Sequence, residues 1–71
     1  MSLQVYTDGG SLNNPGLAAS AYVIYQNEKI IAKEGKKIGT ATNNFAEYMA
    51  LILAWEKILT LIKDGKIAKP K

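Results

Sequence analysis

The stretch Thr7-Asp8-Gly9-Gly10-Ser11-Leu12-Asn13-Asn14-Pro15-Gly16 decides how this chain reads. It follows Leu3-Gln4-Val5-Tyr6, in which Leu3, Val5 and Thr7 alternate with Gln4 and Tyr6 as in a half-buried strand. Asp8 is therefore expected where a strand over 3–8 gives way to a glycine-rich turn over 9–17. A carboxylate there is held by the strand, and the glycines beside it let another backbone approach closely. Metal and phosphate sites are often built this way. The competing reading is a surface hairpin whose Asp, Gly and Asn are turn chemistry alone.

Working outward, residues 18–26 become β-branched and aromatic from Tyr22 onward and read as a second strand. Gln26-Asn27-Glu28-Lys29 breaks that pattern before a third strand over 30–38, so the two form a hairpin, although no glycine follows Asn27 to complete the usual turn signal. Thr42-Asn43-Asn44 are good helix caps, and Asn44 with Glu47 has the spacing of a capping box. The helix expected over 44–64 repeats Phe45, Tyr48, Met49, Leu51, Ile52, Trp55, Ile58, Leu59 and Ile62 at three- and four-residue steps. Gly65 is the expected left-handed residue past its end. Trp55 and Met49 read as core. The apolar stripe is wider than one three-stranded sheet can cover, so Leu53 and part of the stripe are expected to meet more chain or another subunit.

Composition narrows the chemistry. The 71 residues form one domain at most, and a chain of this size buries only ~60% of its unfolded surface. Cysteine and histidine are absent, which excludes disulfides, thiolate metal sites and a histidine base. Any metal must be held by oxygen. The apolar fraction of 48% is that of a globular chain with no run long enough to span a membrane, and no leader pattern is present, so cytoplasmic residence is the expectation. A net charge of +3 is compatible with a polyanionic partner, but five lysines fall in 57–71, where a solvated helix end and tail explain them.

Glu47 taken alone is a capping carboxylate at a helix start, worth ~1 kcal/mol and needing no function. Taken with Asp8 it gains another meaning. A helix packed on the sheet brings its first turn over the end of the first strand, and two carboxylates from different elements then converge. Hard cations such as Mg²⁺ accept such a pair and fill their other positions with water and phosphate oxygens.

Thr7-Asp8-Gly9-Gly10-Ser11 with Asn14-Pro15-Gly16, followed by Thr42-Asn43-Asn44 and Glu47 on a long helix, resembles the amino-terminal half of a type 1 ribonuclease H across essentially the whole chain. The resemblance implies an α/β fold, a ribonuclease H-like mixed sheet of strand order 3-2-1-4-5, of which residues 1–71 supply three antiparallel strands and the first long amphipathic helix. It implies an endoribonuclease that cuts the RNA strand of RNA–DNA hybrids by two-metal hydrolysis with Mg²⁺, or Mn²⁺ in its place. Asp8 and Glu47 would be catalytic, metal-binding acids. Gly9, Gly10, Ser11, Asn14, Thr42, Asn43 and Asn44 would face the nucleic acid, with the amides contacting sugars and base edges across the minor groove.

The departures are equally specific. The family's third and fourth acids lie downstream of residue 71, and Glu56 and Asp64 are too far along the helix to replace them. The site is expected to be incomplete and inactive alone. A first strand that lacks its fourth-strand neighbour leaves an open edge beside an apolar helix, so a homodimer or larger assembly is expected there. Two other classes remain open. One is a non-catalytic module binding RNA–DNA hybrid or duplex RNA, which would tolerate loss of Asp8. The other is an interaction domain using only the strand edge, which would not bind hybrid even at low salt.

Overall fold

The computed structural model describes residues 3–67, and the last four residues of the lysine-rich tail lie outside the described residues. Three strands are followed by one helix: β1 Leu3–Ser11, β2 Gly16–Gln26, β3 Lys29–Ala41 and α1 Asn43–Lys63. The sheet is antiparallel in order β1-β2-β3, so β1 has no strand neighbour on its far side among the described residues. These are the α/β class, the three antiparallel strands and the one long helix that the sequence resemblance implied.

All three strands run longer than the sequence pattern suggests. β1 continues through Gly9, Gly10 and Ser11, which pair with Ser20, Ala19 and Ala18, so the turn shrinks to residues 12–15. Glycine has poor strand propensity, but ladder pairing with β2 overrides it. Asp8 consequently lies inside a strand, three residues before its end, and not at the junction with the turn. The β2–β3 hairpin has a two-residue loop, with Gln26 opposite Lys29 and both Asn27 and Glu28 at positive φ (51° and 70°). That is the backbone of a type I′ turn, in which the second position favours glycine. Glu28→Gly is expected to raise stability by about 1 kcal/mol, read as a higher urea midpoint with unchanged slope.

α1 lies over β1 and β2. Thr42 is its N-cap, and the Thr42 hydroxyl oxygen accepts from the Phe45 backbone N–H at 3.1 Å. The capping-box expectation at Asn44 and Glu47 is therefore displaced by two residues: Phe45 occupies the box position, and Glu47 sits two residues further in, past the first turn. At the other end Gly65 has φ 77°, its N–H donates to the Ile62 carbonyl, and the Lys66 N–H donates to the Leu61 carbonyl at 2.8 Å. These two bonds close the helix as a Schellman motif.

The core joins Tyr22 and Ile24 of β2 to Ala54, Ile58 and Leu61 of α1 and to Ile67, with Ile31, Ala32, Leu53 and Ile62 packed around it. Leu53 thus belongs to the core and does not wait for a partner. The stripe that meets the sheet near β1 is Ala46, Ala50 and Ala54, whereas Phe45, Tyr48, Leu51, Trp55 and Leu59 are exposed. Trp55, read as core from the sequence, is 61% exposed. α1 has two apolar faces, and the sheet takes the one with small side chains because the backbones approach closely there.

Tyr22 is buried and donates its hydroxyl to Glu34 Oε1 at 3.0 Å. Burial, reinforced by the Glu34 charge, pushes the phenol up to about 12 from an ordinary value near 10. The native state therefore holds a proton that the unfolded chain releases between pH 10 and 12. Its contribution is full below pH 10 and is lost as pH rises through 12. Chemical denaturation from pH 9.5 to 12 is expected to show a steeper fall for the unsubstituted chain than for Tyr22→Phe.

Candidate nucleic-acid and metal site

The site is assembled where β1 passes beneath the first two turns of α1. At Gly9 an added Cβ would fall on the carbonyl group of Ala46 and the backbone nitrogen of Glu47, so the helix rests directly on the glycine. Gly9 pairs across the sheet with Ser20, whose hydroxyl donates to the Ala46 carbonyl oxygen at 2.6 Å. This seat places Glu47 next to the strand that carries Asp8. Asp8 and Glu47 are both exposed, and they line one shallow cavity of about 210 Å³ with Thr7, Gly9 and Leu51.

The polar residues at the helix start form a second junction. Asn43 Oδ1 accepts from the Ser11 backbone N–H at 2.6 Å and from Ser11 Oγ at 3.0 Å. The Asn43 backbone N–H donates to Asn14 Oδ1 at 3.0 Å, which satisfies one of the donors left open in a first helical turn. Ser11, Asn14 and Asn43 therefore clip the end of β1 and its turn to the start of α1. Asn14 and Asn44 are exposed, Asn43 half-buried. Gly10 faces Asn43 Oδ1 at 3.6 Å from an added Cβ, ordinary contact with room for a methyl. Thr42 is occupied as the cap.

The residues expected at the site thus fall in two neighbouring clusters: Asp8, Gly9 and Glu47 at the cavity, and Gly10, Ser11, Asn14, Thr42, Asn43 and Asn44 at the helix start. Ser20 was not singled out by sequence, because its importance depends on the register that places it opposite Gly9. Asn43→Ala is expected to lower stability by about 1–3 kcal/mol, since it strands the Ser11 N–H. A side chain used only to touch nucleic acid would leave the melting temperature unmoved.

All donors at the cavity are oxygen, the kind Mg²⁺ takes, and no group of three or more His, Cys, Asp or Glu gathers among the described residues. Two carboxylates fit the group in kind without completing its shell. No helix among the described residues is long and apolar enough to cross a membrane.

A sheet of three antiparallel strands under a long helix, with Asp8 on β1 and Glu47 on α1 lining one cavity, is the arrangement that the sequence resemblance implied. The RNase H family profile matches residues 1–68, and the chain belongs to that family. It is 49% identical over 55 residues to ribonuclease HI of Halobacterium salinarum, an alignment covering 76% of this chain and 28% of that protein. Against ribonuclease H of Treponema denticola it is 39% identical over 61 residues, covering 82% and 38%. The chain spans less than half the length of these curated relatives. Its structure superposes on LC11-RNase H1, isolated from compost by a metagenomic approach, with a TM-score of 0.81 and 39% identity, covering 84% of this chain and 44% of that one. The same enzyme has been solved in complex with an RNA/DNA hybrid, and that structure matches with a TM-score of 0.76 and 27% identity over 99% of this chain and 66% of that one.

Proposed function

We propose that the chain is the hybrid-facing half of an endoribonuclease acting on the RNA strand of RNA–DNA hybrids. The observation that carries the reading is the convergence of Asp8 and Glu47 on one cavity from two separate elements. Asp8 and Glu47 would hold Mg²⁺, or Mn²⁺ in its place. What the metal supplies in such two-metal chemistry is charge neutralisation at the attacking and leaving oxygens. The chain's own residues orient the substrate. Gly9 and Gly10 keep the strand low beside the RNA backbone, and Ser11 and Thr42 add hydroxyls at the same end. The amide groups of Asn14, Asn43 and Asn44 face the minor groove. With the Oδ1 atoms of Asn14 and Asn43 already accepting bonds inside the protein, their NH₂ groups remain to donate to sugar and base acceptors.

A non-catalytic hybrid-binding module is the second reading, favoured by the absence of a third acid at the cavity among the described residues. Titration of a labelled RNA–DNA hybrid at low and high salt tests both readings. Binding that weakens with salt supports a hybrid-facing surface, and no binding at low salt overturns it. Among binders, a requirement for Mg²⁺ that Asp8→Asn removes selects the metal site over the bare module.

Assembly through β1 belongs to the same proposal. Leu12 N–H donates to the Leu17 carbonyl whereas Ser11 N–H turns away from β2 to Asn43, so strand alternation points the N–H and C=O groups of Leu3, Val5, Thr7 and Gly9 at the free edge. Exposed Leu51 and Trp55 lie on the helix above. Two-fold pairing of β1 with a second copy would cover both, and a monomer in sedimentation at micromolar concentration would reject the homodimer.

A further inference from the structure

Ser20 is a buried polar side chain, at 1% exposure. Its hydroxyl donates at 2.6 Å to the carbonyl of Ala46, the residue immediately before Glu47. That carbonyl also lies over Gly9, the cross-strand partner of Ser20. We infer that Ser20 is a positioning residue for Glu47: its hydroxyl fixes the Ala46–Glu47 peptide over β1 and so sets the Glu47 carboxylate beside Asp8. The inference rests on the proposal that these two acids bind metal.

The distribution of contacts along α1 supports a positioning role over a general stabilising one. The second half of the helix is locked by Ile58 and Leu61 in the core. Past the Asn43 clip at its very start, the first half touches the sheet through Ala46 and Ala50, whose methyl groups offer little to interlock, and through a glycine with no side chain. Small smooth surfaces permit sliding along the strand, because few side-chain ridges oppose it. Directional bonds oppose that motion at two places, the Asn43 clip at the helix start and the Ser20 bond directly beside Glu47. At 2.6 Å the Ser20 bond is at the short end of the hydroxyl range, and it uses the second lone pair of a carbonyl that also accepts within the helix. Loss of the hydroxyl leaves that carbonyl its helical partner, so the fold survives while the register of Glu47 over β1 loosens.

The test uses the isotope-labelled 71-residue chain, Mn²⁺ as the probe, and two readouts: paramagnetic broadening of Asp8 and Glu47 signals, and cross-relaxation between Gly9 Hα and the Glu47 amide proton. Ser20→Ala is expected to weaken Mn²⁺ binding by roughly tenfold, the lower end of losses on removing a supporting bond at a metal site, and to erase the Gly9–Glu47 cross-peaks. Ile58→Val, a destabilising change at the far end of the core, is expected to do neither. Ser20→Cys keeps the site filled with a weaker donor and shows smaller losses of both signals, which decides the matter if the alanine variant does not fold. Unchanged affinity and cross-peaks in the serine variants, or equal losses in Ile58→Val, overturn the inference. If the unsubstituted chain shows no Mn²⁺ broadening, the metal proposal fails by itself. The cross-peaks alone then judge the positioning of Glu47: their loss in Ser20→Ala upholds it, and their survival rejects it.

Discussion

Gly9→Ala is expected to lower stability by roughly 3 kcal/mol, the upper end of overpacking costs, while Gly10→Ala one residue away stays within about 0.5 kcal/mol. Both add one methyl group to the same strand. At Gly9 the methyl meets the backbone of Ala46 and Glu47, which cannot rotate aside as a side-chain tip would. Either the helix lifts from the sheet or β1 bends away from β2. If the helix lifts, the Ser20–Ala46 bond stretches beyond use and the contact of Ala50 with the sheet opens. At Gly10 the nearest atom, Asn43 Oδ1, stands 3.6 Å from the new methyl. A 71-residue chain has few kcal/mol in reserve, so Gly9→Ala is expected to leave a substantial unfolded fraction at 37 °C. Circular dichroism melts of the two variants side by side check this. Equal melting temperatures would mean that the helix does not rest on Gly9.

That contrast also shows where sequence reading stopped. The order of strands and helix and the left-handed Gly65 follow from alternation, capping and punctuation, all of which are local signals, whereas the open edge of β1 was implied by the family resemblance. Ala46, Ala50 and Ala54 recur at four-residue steps and run on into Ile58, so the buried face was present in the pattern. It was outweighed by Phe45, Tyr48, Trp55 and Leu59, whose bulk suggests a core. Bulk is a poor guide where the opposite surface is Gly9 and Ser20, because close backbone approach admits only small residues. The strand extension through Gly9, Gly10 and Ser11 was hidden for a related reason. Glycine marks turns in isolation, and only pairing with Ala18–Ser20 draws it into a ladder. That Asp8 and Glu47 line one cavity agrees with what their motifs led one to expect, but the Ser11–Asn14–Asn43 clip could not be foreseen, since three residues must first meet in space.

The largest expected effect is on hydrolysis itself. Alone, the chain is expected to leave a labelled RNA–DNA hybrid uncut in Mg²⁺. Mixed with a separate polypeptide carrying the carboxyl-terminal half of a ribonuclease H domain, it is expected to cut the RNA strand, and Asp8→Asn or Glu47→Gln then lowers the rate by about 10²–10³-fold, the loss seen when one electrostatic element of a site is removed. The reason lies in where the six acids stand. Glu56 and Asp64 are about 13 Å and 25 Å along the helix axis from Glu47, at 1.5 Å per residue. Glu34 on β3 is engaged with Tyr22 of β2, and Glu28 occupies the hairpin turn at the opposite end of the sheet. None reaches the cavity that Asp8 and Glu47 share. Two carboxylates carry two negative charges against the four positive charges of a metal pair, so further acids from outside residues 1–71 are needed to balance it. The free edge of β1 and the exposed face of α1 adjoin that cavity through Leu51, so a complementing half that docks there brings its acids to the right place. Cleavage by the chain alone, lost in both variants, would instead mean that copies of this chain pool their acids. In that case activity rises faster than linearly with protein concentration, whereas a self-sufficient site gives a straight line.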